Sequence, residues 1–263
     1  MEHFVWNADP EIFSIGSLSL RWYGLLFVSG FLIGFYIMSW IFKQEGKDPA
    51  DLDRWLFYIF GGAVIGARLG HCLFYDPAFY LANPLEILFI WKGGLASHGG
   101  TVGVLLGTWL FSRKREESAL WLLDRLAIPT ALASALIRLG NFFNSEILGV
   151  ATDSKFGVIF ARVSQVPHHP AQLYESVSYL LTFIILFFIY SKYRTRTGEG
   201  LYLGIMMLGI FAARFFIEFI KPEYATYNIG INLNLGQLLS LPFIVLGIVM
   251  IILALRKSET VVT

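Results

Sequence analysis

The chain has 263 residues, 56% of them hydrophobic, a mean hydropathy of +0.62 and a formal net charge of +1. That apolar content exceeds what a soluble chain of this length needs, and 24 Phe, 7 Trp and 12 Tyr suit lipid contact and interface anchoring. So small a net charge excludes reading a partner from global charge, and a single cysteine, Cys72, excludes an internal disulfide or a cysteine-cluster metal site.

The first residues, through Leu18, carry no basic n-region and no cleavage site, so they do not read as a signal peptide, and the first hydrophobic run is expected to direct insertion. A membrane span needs about 20 mainly apolar residues. Seven stretches qualify in chain order: Leu20–Phe42, Trp55–Tyr75, His98–Phe111, Leu120–Leu139, Leu173–Tyr190, Gly200–Ile220 and Leu238–Leu255. The third is short and opens in glycines. One set of connecting loops holds eleven basic residues, Lys43, Lys47, Arg54, Arg113, Lys114, Arg115, Lys192, Arg194, Arg196, Arg256 and Lys257. The opposite set holds five: Arg21, Lys92, Lys155, Arg162 and Lys221. The bias places the first set in the cytoplasm. The expectation is therefore an all-α membrane protein of seven transmembrane helices, N-terminus outside and C-terminus cytoplasmic. It forms one polytopic domain over 1–263, with extracytoplasmic insertions at about 76–97 and 142–172. No internal repeat is evident, which weighs against an inverted-repeat transporter.

Four basic residues remain within or at the ends of spans: Arg68, Arg125, Arg138 and Arg214. An arginine at mid-helix in hydrocarbon costs at least about 2.5–3.5 kcal/mol, so it is kept for a partner or a task. Arg125 follows Asp124 and reads as a paired, snorkelling residue. The other three lie in the outer halves or middles of their spans, more than anchoring explains.

Five stretches carry chemistry. Arg21-Trp22-Tyr23-Gly24 fits an aromatic belt or a phenol and guanidinium facing a head group. Gly93-Gly94-Leu95-Ala96-Ser97-His98-Gly99-Gly100 sets one histidine among four glycines, which let backbone approach a ligand or a neighbouring helix. Histidine titrates near neutrality and is the natural proton acceptor, although a histidine beside an apolar span also fits a structural role. Adjacent Ser97 and His98 do not face each other, which argues against a serine nucleophile. Arg138, Asn141, Asn144, Glu146 and Gly149 form a candidate anion-recognition group, because a guanidinium offers phosphate a planar fork of donors. An Arg138–Glu146 pair closing a helix end is the alternative. In His168-His169-Pro170-Ala171-Gln172-Leu173-Tyr174-Glu175 the spacing fits no zinc pattern, whereas proline opening a helix fits N-terminal helix chemistry, and Glu175 could instead pair with one of the buried arginines. Arg214 and Glu218 stand four apart on one helix face, either neutralising each other or serving a ligand.

In this order and on these spans, RWYG at 21–24, GARLG at 66–70, GGLASHGG at 93–100, RLGNFFNSEILG at 138–149, HPAQLYE at 169–175 and RFFIE at 214–218 resemble the prolipoprotein diacylglyceryl transferase family over nearly the whole chain. The family's usual glycine after its second asparagine is Ser145 here, and Thr101 follows the HGG where an aliphatic residue is common. The resemblance implies an enzyme of the bacterial inner membrane. It moves the sn-1,2-diacylglyceryl group of phosphatidylglycerol to the lipobox cysteine thiol of a prolipoprotein, forming a thioether and releasing glycerol-1-phosphate. It implies a seven-helix body with a cavity facing the outer leaflet, lateral openings for lipid and signal helix, and neither cofactor nor metal. Carried onto this chain, it implies that Arg138 and Arg214 hold the phosphate leaving group and that His98 takes the thiol proton. A thiolate generated beside the arginines without a dedicated base remains the other route. Tyr23, Asn141 and Gly149 would shape the head-group pocket, and Glu146, Glu175 and Glu218 would orient the arginines.

Two other classes place polar groups in spans. A transporter or channel needs a polar path to the cytoplasm, yet the inner halves here are apolar. An intramembrane protease needs a Ser/His pair or two aspartates, and Ser134, Ser176 and Ser178 have no such pattern with His98.

Overall fold

The computed structural model describes residues 3–16, 18–115, 117–222 and 233–260. In chain order they form strands β1 (Phe4–Trp6), β2 (Glu11–Ile15) and β3 (Leu18–Arg21), then helices α1 (Trp22–Gln44), α2 (Pro49–Phe74), α3 (Pro77–Ala82), α4 (Ser97–Arg115) and α5 (Ala119–Phe143). Strands β4 (Val158–Phe160) and β5 (Pro167–His168) follow, then helices α6 (Ala171–Tyr193), α7 (Leu201–Ile217) and α8 (Leu235–Thr260). The protein is thus mostly helical rather than all-α. Each expected span has a helix over it, and the ends shift for local reasons. Helix α2 starts six residues before Trp55 because Asp48 caps it, accepting from the Ala50 amide at 2.9 Å, with Pro49 in the first turn. By length and composition, α1, α2, α5, α6, α7 and α8 are six helices able to cross a membrane. Helix α4 has 19 residues, but its Ser-His-Gly-Gly-Thr start and Arg-Lys-Arg end dilute its apolar stretch.

The chain divides into two compact units, residues 1–38 with 124–263, and residues 39–123. In the first, β1 pairs in parallel with β4, Phe4 opposite Val158, and β4 pairs antiparallel with β5. The small sheet carries a core of Phe142, Val158 and Phe160, against which Trp6, Leu148 and Leu173 pack. The Trp6 and Phe142 rings lie 4.4 Å apart. Helix α7 packs on α6 and on α8, and Gly204 and Gly247 bring the α7 and α8 backbones together. Buried Asp124 is paired with Arg125 at 2.7 Å and accepts from the Leu203 amide at 2.8 Å, which ties α5 to the start of α7.

The second unit is built on α2 and α4. Gly62 and Gly103 meet backbone to backbone, as do Gly66 and Gly99, so a methyl on any of them would collide with the facing carbonyl. Trp55 Nε1 donates to Thr108 Oγ1 at 3.1 Å across the same interface.

Candidate active site

Helix α5 ends in the sequence that carries the polar group. Its last turn closes with the Asn144 amide on the Gly140 carbonyl and the Glu146 amide on the Asn141 carbonyl. The chain then reverses through Ser145 and Ile147, both at positive φ, 53° and 60°. That geometry is rare for a non-glycine residue and an outlier for a β-branched one. It turns Glu146 outward, where it accepts from Asn141 Nδ2 at 2.7 Å and Asn144 Nδ2 at 3.2 Å. Glu146 therefore orients the two carboxamides, and Arg138 reaches it only through Asn141, whose Oδ1 accepts from Arg138 Nη1 at 3.4 Å.

The partner of Arg138 comes from α6. Glu175 is fully buried, with Oε2 2.9 Å from Arg138 Nε, an ion pair whose N–H is not aligned as a hydrogen bond. Its Oε1 accepts from Lys221 Nζ at 2.8 Å. Lys221 also lies 3.5 Å from Glu218. The carboxylate four residues after Arg214 thus turns to a lysine. Among the described residues no ion pair or hydrogen bond joins Arg214 to a protein group. Arg138 and Arg214 both act electrostatically on the Tyr179 hydroxyl, which places the two guanidiniums in one neighbourhood. Among the described residues the inner cluster holds Arg138, Arg214 and Lys221 against Glu175 and Glu218, an excess of one positive charge. A desolvated cation without a counter-charge is costly, so this arrangement is receptive to an anion.

Tyr23, at the start of α1, lies over Gly140; a methyl there would come within 2.8 Å of its ring. Gly149 is wedged between His169 and the Ile220 carbonyl, donating to the His169 carbonyl at 2.8 Å. His168 is spent on the same junction, bonding the Gly149 carbonyl through Nδ1 and Ser164 Oγ through Nε2. Arg21 pairs with exposed Glu11 at 2.9 Å.

In the second unit, His98 is exposed on the first turn of α4 and borders an apolar cavity of about 880 Å³ lined by faces of α2 and α4. Arg68 on α2, grouped by sequence with the other two arginines, is buried and donates to the carbonyls of Glu86, Ile87, Gly93 and Gly94. It fastens the loop before α4 and is saturated by doing so.

Sequence reasoning placed Lys221 among the outer loop charges and passed over Tyr179. Both are drawn in by α6, whose spacing of Gln172, Glu175 and Tyr179 marks one helix face.

These features define a multi-pass helical membrane protein with a cation-rich, anion-receptive cluster at its helix ends. The chain matches the family model for prolipoprotein diacylglyceryl transferase over residues 10–253. It is 49% identical to the phosphatidylglycerol–prolipoprotein diacylglyceryl transferase of Tolumonas auensis, covering 96% of this chain and 98% of that one. The enzymes of the same name from Chloroherpeton thalassium and Porphyromonas gingivalis are 45% and 43% identical, each covering at least 96% of both chains. The chain belongs to the prolipoprotein diacylglyceryl transferase family.

Proposed function

We propose that this protein is the diacylglyceryl transferase that carries out the first step of lipoprotein maturation, using phosphatidylglycerol and a prolipoprotein, and that its inner cluster is the phosphate clamp. The observation that carries the reading is Arg214, a half-buried guanidinium with no ion-pair partner among the described residues, beside an Arg138 whose carboxylate is shared with Lys221. In the reaction the thiol of the lipobox cysteine loses its proton, and the thiolate attacks the glyceryl carbon. An S–C bond forms, the C–O bond to phosphate breaks, and glycerol-1-phosphate leaves with its bonding pair. The phosphate gains negative charge as that bond breaks. Fixed cations in a water-poor site therefore bind the transition state more strongly than the lipid. Arg138 and Arg214 fill this role, and Glu175 and Lys221 hold Arg138 in place. Tyr23, Asn141 and Gly149 shape the head-group pocket, while Glu146 sets the Asn141 carboxamide and Glu218 holds Lys221. His98 takes the thiol proton.

Membrane placement follows the charge bias: seven spans including α4, N-terminus outside, in the bacterial inner membrane, as one polytopic domain with extracytoplasmic insertions at about 76–97 and 142–172. The β1–β4 pairing supports counting α4 as a span. It requires both strands on one side, hence an even number of crossings between them, and α1, α2, α4 and α5 supply four.

Replacing Arg138 or Arg214 by Ala is expected to abolish transfer from phosphatidylglycerol to a lipobox peptide in detergent micelles, read as loss of the diacylglyceryl mass increment. Full activity in either variant removes the clamp. For His98→Gln, a rate that falls and loses its rise across roughly pH 6 to 9 supports the base role; an unchanged profile gives the proton to another group.

A further inference from the structure

Three buried side chains on α6, Gln172, Glu175 and Tyr179, have exposures of 0%, 0% and 2%. Each has an oxygen that completes no protein hydrogen bond among the described residues: Gln172 Oε1, Glu175 Oε2 and the Tyr179 hydroxyl. Their spacing puts them in a row along one helix face. The first two have their other atoms engaged, Gln172 Nε2 on the Glu146 carbonyl at 2.9 Å and Glu175 Oε1 on Lys221. Tyr179 has no other polar atom. The charged groups that act on its hydroxyl are Glu175, Arg138 and Arg214, with Arg138 also placed to donate to its oxygen. A guanidinium has no lone pair to accept a phenolic proton, so the arginines leave the Tyr179 O–H without an acceptor. An unmade hydrogen bond at a buried donor costs about 1–3 kcal/mol, and a chain retains such a group where a ligand completes it.

We propose that the Tyr179 hydroxyl donates a hydrogen bond to a phosphoryl oxygen held between Arg138 and Arg214, making the phenol a third ligand of the departing phosphate. This rests on reading the arginines as the phosphate clamp. An anionic phosphoryl oxygen is the acceptor the phenol lacks, and it brings the negative charge the cluster lacks. The contact strengthens as glycerol-1-phosphate forms, since its oxygens gain charge, so the phenol favours the transition state over the bound lipid. The position lies about 12 Å along the helix from its first residue, by 1.5 Å per residue. The phenol thus stands about 6 Å further along the helix than Glu175.

Tyr179→Phe removes only the hydroxyl. The full-length variant, purified in micelles, is expected to keep or raise its thermal midpoint, because an unsatisfied buried group is gone. Its kcat for transfer from phosphatidylglycerol should fall by roughly tenfold to a hundredfold, below the effect of losing a full oxyanion donor pair. Glycerol-1-phosphate, used as inhibitor, should bind about tenfold more weakly. A kcat within about twofold of the parent overturns the proposal, as does a reduced kcat with unchanged glycerol-1-phosphate inhibition, which would put the phenol on the acyl esters. Arg138→Ala and Arg214→Ala separate the two failures. If those variants are dead while Tyr179→Phe is normal, only the phenol's role is lost. If they remain active, the clamp itself is wrong.

Discussion

Ser145 has a left-handed backbone, φ 53°, and a buried hydroxyl without a hydrogen-bond partner among the described residues, at a position where the family resemblance leads one to expect glycine. Both features cost stability, and glycine removes both. Ser145→Gly is expected to stabilise the protein by about 1 kcal/mol, read as a rise of roughly 2–4 °C in thermal midpoint. The same turn shows how far side-chain chemistry can be read from sequence. Arg138, Asn141 and Glu146 were recognisable as a polar group because a guanidinium and a carboxylate beside an apolar run are expensive. Glu175, 37 positions downstream of Arg138, was expected to orient the arginines, and it pairs with Arg138. That Glu146 serves the carboxamides instead was not legible, because it depends on two left-handed residues that swing it away. Tyr179 left no trace at all. Between Ser178 and Leu180 in an apolar helix it reads as an ordinary packing aromatic until its neighbours from α5 and α7 are known.

Helices α2 and α4 meet through glycines on both sides, so their separation is set by backbone atoms. Gly103→Leu therefore has no rotamer that avoids the Gly62 carbonyl. It is expected to cost about 3 kcal/mol or more, measured as lost thermal stability and protease resistance in detergent. Gly61→Ala, one residue from Gly62 but facing open space, is the contrast and should change stability by no more than about 0.5 kcal/mol. The helices were legible because a bilayer demands long apolar runs, and each expected span lies on one. The strands were not. Segments of two to five residues carry too little alternation to register, and the β1–β4 pairing joins segments far apart in sequence.

The placement of α4 decides the side on which every later element lies. Single cysteines introduced as Lys92→Cys and Lys114→Cys, in a Cys72→Ala background, flank that helix. Lys92→Cys is expected to react with an impermeant thiol reagent from outside intact cells, and Lys114→Cys only after the membrane is opened. Reaction of both from the same side would remove α4 from the count of spans and reverse the orientation of helices α5 to α8.

The partner of β1 is synthesised roughly 150 residues after it, four long helices later. At about 5–20 residues per second, the leading strand waits on the order of ten seconds for the segment that completes its sheet. Exposed Phe4 and Val5 spend that interval without a sheet to join. A ribosome stalled before residue 158 would leave the site's outer support unbuilt, however well the earlier helices had inserted, so biogenesis of the cluster is gated by translation past that point.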